Sequence, residues 1–188
     1  MSYRPITDVW LLTRGKLGGG KKFYGAFLGG FGERARALLG VHINDPVLHV
    51  CGGCVRAYPY PNAVGPNDRT LDLDPLTNPD FCQDACDPLP RGSWAAVLAD
   101  PPYSEADAEH YAPGARKYPP PGTILRRALE GVETGRRVGI LHYFPPRPPE
   151  GTRYVAEIHI GCGFGNRARV FSVFERGTGT PKSKRRKA

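Results

Sequence analysis

No run of about 18 apolar residues occurs in the chain, so nothing in it reads as a membrane-spanning helix. Cysteine is sparse and odd in number. Five thiols in 188 residues fit reduced side chains better than a disulfide framework. The opening Met1-Ser2-Tyr3-Arg4-Pro5 lacks the charged-then-apolar order of a secretory leader, and a cytoplasmic protein is expected. A phosphate-cradling loop is missing too. The stretch Gly15-Lys16-Leu17-Gly18-Gly19-Gly20-Lys21-Lys22 runs into Phe23, where such a loop needs a Gly-Lys-Ser/Thr ending.

What the chain does contain is 24 glycines, 20 prolines and a formal charge of +8. With 40% hydrophobic residues it has enough apolar material for one core. A single domain over residues 1–176 is expected, with a basic tail at 177–188 that includes Lys182-Ser183-Lys184-Arg185-Arg186-Lys187. Excess positive charge points to a polyanion such as nucleic acid, because neutralised phosphates release counterions. A solvated, merely soluble tail accounts for part of it.

Short apolar runs alternate with turn signals, the pattern of an α/β chain. Ile6 to Leu12 suits a short strand or an extended arm. Glu33 to Leu39 reads as a short amphipathic helix stopped by Gly40. Val47-Leu48-His49-Val50 is an apolar strand followed by Cys51-Gly52-Gly53-Cys54, whose small residues let backbone approach a ligand at the strand end. Pro59, Pro61 and Pro66 keep the next stretch from being a helix. Arg69 to Asp74 alternates as a second strand, and Phe81 to Cys86 makes a third strand or its edge. Ser104-Glu105-Ala106-Asp107 has the form of a capping box opening a helix through Tyr111. Leu125, Ala128, Leu129 and Val132 share one face of another helix. Arg137 to Phe144 is a further strand, and Tyr154–Ile160 with Arg169–Phe174 make a closing hairpin joined by residues 161–166.

The organising stretch is Trp94-Ala95-Ala96-Val97-Leu98 leading into Ala99-Asp100-Pro101-Pro102-Tyr103. A buried strand delivers an acid, two prolines and an aromatic ring to its C-terminal edge, where open α/β sheets bind ligands. An aromatic exocyclic amine is a poor nucleophile because its lone pair is delocalised into the ring. A carboxylate accepting one amine hydrogen, and a backbone carbonyl accepting the other, favour a pyramidal nitrogen. Asp100 and the Pro101 carbonyl can be those acceptors, Pro101-Pro102 is a stiff rail, and Tyr103 offers a face on which a base can stack for roughly 1–3 kcal/mol.

Asp100-Pro101-Pro102-Tyr103 resembles the Asp-Pro-Pro-Tyr signature of the amino-methyltransferases, which transfer a methyl group from S-adenosylmethionine to an exocyclic amine of adenine or cytosine. The resemblance covers roughly residues 45–175, and more loosely the segment Phe23-Tyr24-Gly25-Ala26-Phe27. It implies an α/β fold, a single class I methyltransferase (Rossmann-like) domain whose mostly parallel sheet ends in a C-terminal antiparallel hairpin. It implies catalytic roles for Asp100, Pro101, Pro102 and Tyr103. The donor would lie against His49, Cys51, Gly52 and Gly53, with His49 standing where the family often has an acid. Asp72 would take the ribose hydroxyls, Asp74 being the near alternative. Asp84 would accept from the adenine amine of the donor, with Ala85 beside it. Tyr143 or Phe144 would help Tyr103 hold the target base. Lys117, in the basic aromatic loop 116–122, would reach a nucleic-acid backbone or close over the site; a plain connector is the alternative.

The expected reaction is methylation of a nucleobase amine, adenine in DNA being favoured over RNA, with the base flipped out of a duplex. RNA, a protein amide, a small molecule, or an inactive nucleic-acid-binding relative are the rival readings. No separate recognition region is visible, which leaves a homodimer or a recognition subunit open. Cys51, Cys54, Cys82 and Cys86 could hold zinc, yet their outer spacing is not that of a zinc ribbon. Buried thiols and no metal are expected.

Overall fold

Three short apolar runs, Val47–Val50, Ala96–Ala99 and 138–141, each too brief for a helix, lie side by side and are buried. In the computed structural model, which describes residues 4–13, 27–58, 60, 62–111, 118–161 and 168–178, the elements follow an α/β order. They are β1 (Ile6–Leu11), α1 (Phe31–Leu39), β2 (Val47–Val50), β3 (Arg69–Asp72), β4 (Phe81–Cys82), β5 (Ala96–Ala99), α2 (Glu105–Tyr111), α3 (Pro121–Gly131), β6 (Arg137–His142), β7 (Thr152–Gly161) and β8 (Arg169–Arg176). One eight-stranded sheet has the order β1-β7-β8-β6-β5-β2-β3-β4. β8 lies antiparallel between β6 and β7, and all other pairs are parallel. The expected mostly parallel sheet with a closing antiparallel hairpin is what the chain forms.

Both faces of the central strands are buried, which is why β2 and β5 read as unbroken apolar runs. On one face Phe31, Ala35 and Leu39 of α1, spaced four apart, pack with Ala96, Leu98, Leu141 and Phe171. On the other, Ile124, Leu125, Ala128 and Leu129 of α3 pack with Leu48, Val50, Val97 and Ile140. Val132 joins that layer from just beyond the end of α3. A Cβ on Gly139 would lie 2.6 Å from the Phe171 ring, so β6 needs glycine where that ring crosses it.

Several boundaries differ from the periodicity reading. β3 stops at Asp72 because Asp74 caps a 3-10 turn, its Oδ1 accepting from the Leu76 amide at 2.9 Å. β4 is only two residues, and Asp84 lies in the turn after it. The Ile6–Leu11 segment, left between strand and arm by its sequence, is an edge strand parallel to β7. The Ser104 box forms: the Asp107 amide donates to Ser104 Oγ at 3.1 Å, and that hydroxyl donates to Asp107 Oδ2 at 2.7 Å.

A buried polar knot underpins β2. Asp68 pairs with Arg36 of α1, lies 2.8 Å from His49 Nε2, and accepts from the amides of Val47 at 3.1 Å and Gly65 at 2.8 Å. Burial alone would raise the Asp68 carboxyl, but the His49 and Arg36 contacts outweigh it and hold it below its ordinary value. Its stabilising effect is therefore full above about pH 4 and is lost as pH falls through the lowered folded value. Asp68→Ala should cost about 3–5 kcal/mol at neutral pH, since it strands a buried cation. Urea unfolding checks this; a loss below 1 kcal/mol would contradict the role given to Asp68.

Candidate active site

The strand order reverses direction at β2, which has β3 on one side and β5 on the other. A crevice at the C-terminal ends of such strands is where this architecture takes ligands. Backbone pairing continues one residue past the strands and fixes the loops there. The Asp100 amide donates to the Val50 carbonyl at 3.1 Å, the Gly52 amide to Leu71 at 3.2 Å, and the Gln83 amide to Asp72 at 3.1 Å. The beginnings of all the expected site loops thus share one edge.

At the centre of that edge Cys51 adopts a left-handed backbone, φ 54°. Its thiol is pushed well up by burial and by the facing Asp72, Asp100, Cys86 and Asp84. Three aspartates, from the end of β3 and the turns after β4 and β5, therefore act on one thiol. Burial and Asp84 also push Cys86 up, to about 11. Both thiols therefore stay protonated at neutral pH, the wrong state for a nucleophile.

Asp72 ties β3 to the turn after β2, its Oδ2 accepting from the Gly53 amide at 2.8 Å and its Oδ1 from the Asp74 amide at 3.0 Å. Burial outweighs these bonds and raises its carboxyl. A carboxylate has about four acceptor sites, so Asp72 keeps capacity for hydroxyl donors. Asp74 is engaged in its own turn. A Cβ on Gly52 would meet His49 tightly, at 3.2 Å, whereas a Cβ on Gly53 would meet nothing within 4 Å. Asp84 Oδ1 accepts from the Cys86 amide at 2.8 Å, and Ala85 is buried in the α3-side core. His49 is brought to the same strand end, but its ring is committed to Asp68.

The second half of the site is built on β5 and β6. Asp100 retains some exposed surface, Pro101 is buried, and Pro102 and Tyr103 are half-buried. The Tyr103 hydroxyl donates to Asp100 Oδ1 at 2.6 Å. Burial pushes the Asp100 carboxyl up to about 6, against the opposing pull of Arg169 and the Tyr103 hydroxyl. Tyr143 lies with its ring 4.6 Å from that of Tyr103, and His142 meets Tyr103 edge-on at 5.4 Å. Phe144 packs edge-on against His142 at 4.4 Å and is 53% exposed. Lys117 falls outside the described residues.

Sequence reasoning missed three contributors. Tyr118 meets His142 Nε2 at 2.8 Å, and burial pulls His142 down to about 4, so its imidazole is neutral at physiological pH. Tyr58 faces Asp100 from beyond the Cys54 turn. Arg169, at the start of β8, places its guanidinium 5.4 Å from the Tyr103 ring centroid. No local spacing signals any of these, because each meets its partner far away in the sequence.

No protein-family model matches the chain, and no curated protein matches its sequence. Solved structures do resemble its fold. TrmN from Thermus thermophilus superposes with a TM-score of 0.58 at 18% identity, over 80% of this chain and 49% of that one. A proposed SAM-dependent methyltransferase from Streptococcus mutans gives 0.51 at 12% identity, over 81% of this chain and 50% of that one. The fold is a methyltransferase fold. The chain spans about half the length of those two proteins. It matches nearly the whole of the proposed methyltransferase yhhF from Escherichia coli, with a TM-score of 0.50, 11% identity, and coverage of 90% of this chain and 99% of that one. In this fold the C-terminal strand ends carry both the aspartates and the Asp100 corner.

A carboxyl that titrates near 6 when folded and near 3.9 when unfolded weakens the fold once it ionises. Asp100→Asn should therefore raise stability by about 3 kcal/mol at pH 8. The gain should vanish as pH falls below about 4. Unfolding curves at both pH values test this, and equal stability at pH 8 would contradict it.

Proposed function

We propose that the chain is an S-adenosylmethionine-dependent methyltransferase acting on the exocyclic amine of a nucleobase, adenine in DNA. The observation that carries this reading is the Asp100–Tyr103 corner standing beside an acidic, glycine-bordered turn at the C-terminal ends of the strands. The residues present fit such a donor. Asp72, Asp84 and Asp100 form an anionic surround suited to a positively charged sulfonium, and the open approach at Gly53 lets a ligand meet backbone. Asp72 would hold the ribose, with Cys51, Gly52, Gly53, Asp84 and Ala85 lining the rest. Bound there, S-adenosylmethionine supplies an electrophilic methyl on sulfur.

The chain's own residues supply position and charge. Asp100 accepts one hydrogen of the amine and the Pro101 carbonyl accepts the other, turning the nitrogen lone pair out of conjugation. Tyr103, with Tyr143 and Phe144 nearby, holds the base by its ring faces. Orientation of this kind is a large share of the rate advantage. The proton lost from the methylated nitrogen passes to Asp100, whose raised basicity suits it, or to solvent. The net charge of +8 supports a polyanionic substrate.

Asp100→Ala should abolish transfer to DNA while S-adenosylhomocysteine, followed by calorimetry, still binds nearly as tightly. Asp72→Ala should weaken that binding about 10- to 100-fold, the range for a hydrogen bond to a charged group. Absence of any S-adenosylhomocysteine binding to the native protein would overturn the donor assignment, and product analysis with RNA as sole acceptor would overturn DNA. In the native enzyme kcat/KM should fall below pH 6, about tenfold per pH unit, as Asp100 protonates.

A further inference from the structure

Tyr103 is held from more than one side. Its hydroxyl is on Asp100 at 2.6 Å, the rings of Tyr143 and His142 are against it, and the Arg169 guanidinium lies over the ring at 5.4 Å. Arg169 comes from a distant part of the chain. It opens β8, opposite Ile160 of β7, and reaches across β6 to the corner on β5. Among the described residues, the groups that face Asp100 are Tyr103 from its own loop, Cys51 from the turn after β2, Tyr58 from the segment that follows, and Arg169. Two phenols and a thiol contribute no positive charge, so the cation of that set is Arg169.

We infer that Arg169 is a positioning residue, clamping the Tyr103 ring against Asp100 and supplying the positive charge of the corner. A guanidinium suits both tasks, because it is planar enough to stack on a ring and stays charged at every accessible pH. The clamp also bears on substrate entry. A base that stacks on Tyr103 must share the ring with Arg169 or slide the guanidinium along it. This inference deepens the proposed function, since the corner it supports is the one that would orient the amine.

Its test uses the full-length protein with neither donor nor nucleic acid. In carbon-13 NMR, the carboxyl carbon of Asp100 should titrate near pH 6 in the native chain. The midpoint should move up by roughly one pH unit in Arg169→Gln and return most of the way in Arg169→Lys. Equal midpoints in native and Arg169→Gln, or no recovery with lysine, would overturn the inference. If the glutamine variant does not fold, the native protein still decides. The Arg169 side-chain protons should show an upfield ring-current shift that disappears in Tyr103→Leu, and native protons at ordinary positions would overturn the clamp. Neither readout depends on methyl transfer, so failure of the functional reading appears separately, as lost S-adenosylhomocysteine binding.

Discussion

The pairing of β5 with β2 runs one residue beyond the end of β5, through the Asp100 amide and the Val50 carbonyl, and everything at the site depends on it. That bond sets the depth at which the acid leaves the sheet. With Gly52 fastened to Leu71 and Gln83 to Asp72, loops far apart in sequence start from a common edge. Parallel strands make this possible because they present all their C-terminal ends together. The covering helices then need only bury the faces, which α1 and α3 do with apolar stripes.

Charge concentrates at that edge in an unfavourable way for the protein alone. Asp72, Asp84 and Asp100 all face Cys51, and burial raises the carboxyls of Asp72 and Asp100. Holding acids against desolvation and one another costs stability, a pattern found where a site serves a ligand more than the fold. A cationic ligand would relieve it, and Arg169 offsets it in part at Asp100. The Asp68 knot is the structural counterpart: there the acid is matched by Arg36, His49 and two amides, and its carboxyl titrates low. The two carboxyls thus differ in sign of shift because one is paired and the other is left to a hydroxyl and a more distant cation.

The first turn is unusual in its chemistry. Cys51 takes a left-handed conformation that glycine adopts more readily. Its thiol stays neutral among acids, so cysteine behaves here as a small buried side chain. His49, two residues earlier in β2, joins the Asp68 knot, which ties β2 to Arg36 of α1.

Much of the architecture was legible in the chain. Continuous apolar runs at Val47–Val50 and Ala96–Ala99 identify strands buried on both faces, and Asp100-Pro101-Pro102-Tyr103 marks a rigid acidic corner at a strand end. The same order of motifs indicated Asp72 and Asp84, because acids after successive parallel strands are carried to one edge. Strand ends were less legible, since Asp74 could as well extend β3 as cap a turn, and only the Leu76 contact decides. What the sequence by itself determined is local: which runs are apolar, where prolines forbid helix, and which rigid turn holds an acid. Tertiary structure alone decided that Arg169 lies over Tyr103, that His49 meets Asp68, and that Tyr118 meets His142. Such contacts join residues 19 to 66 positions apart; they depend on strand order and register, which no periodicity of 2 or 3.6 encodes.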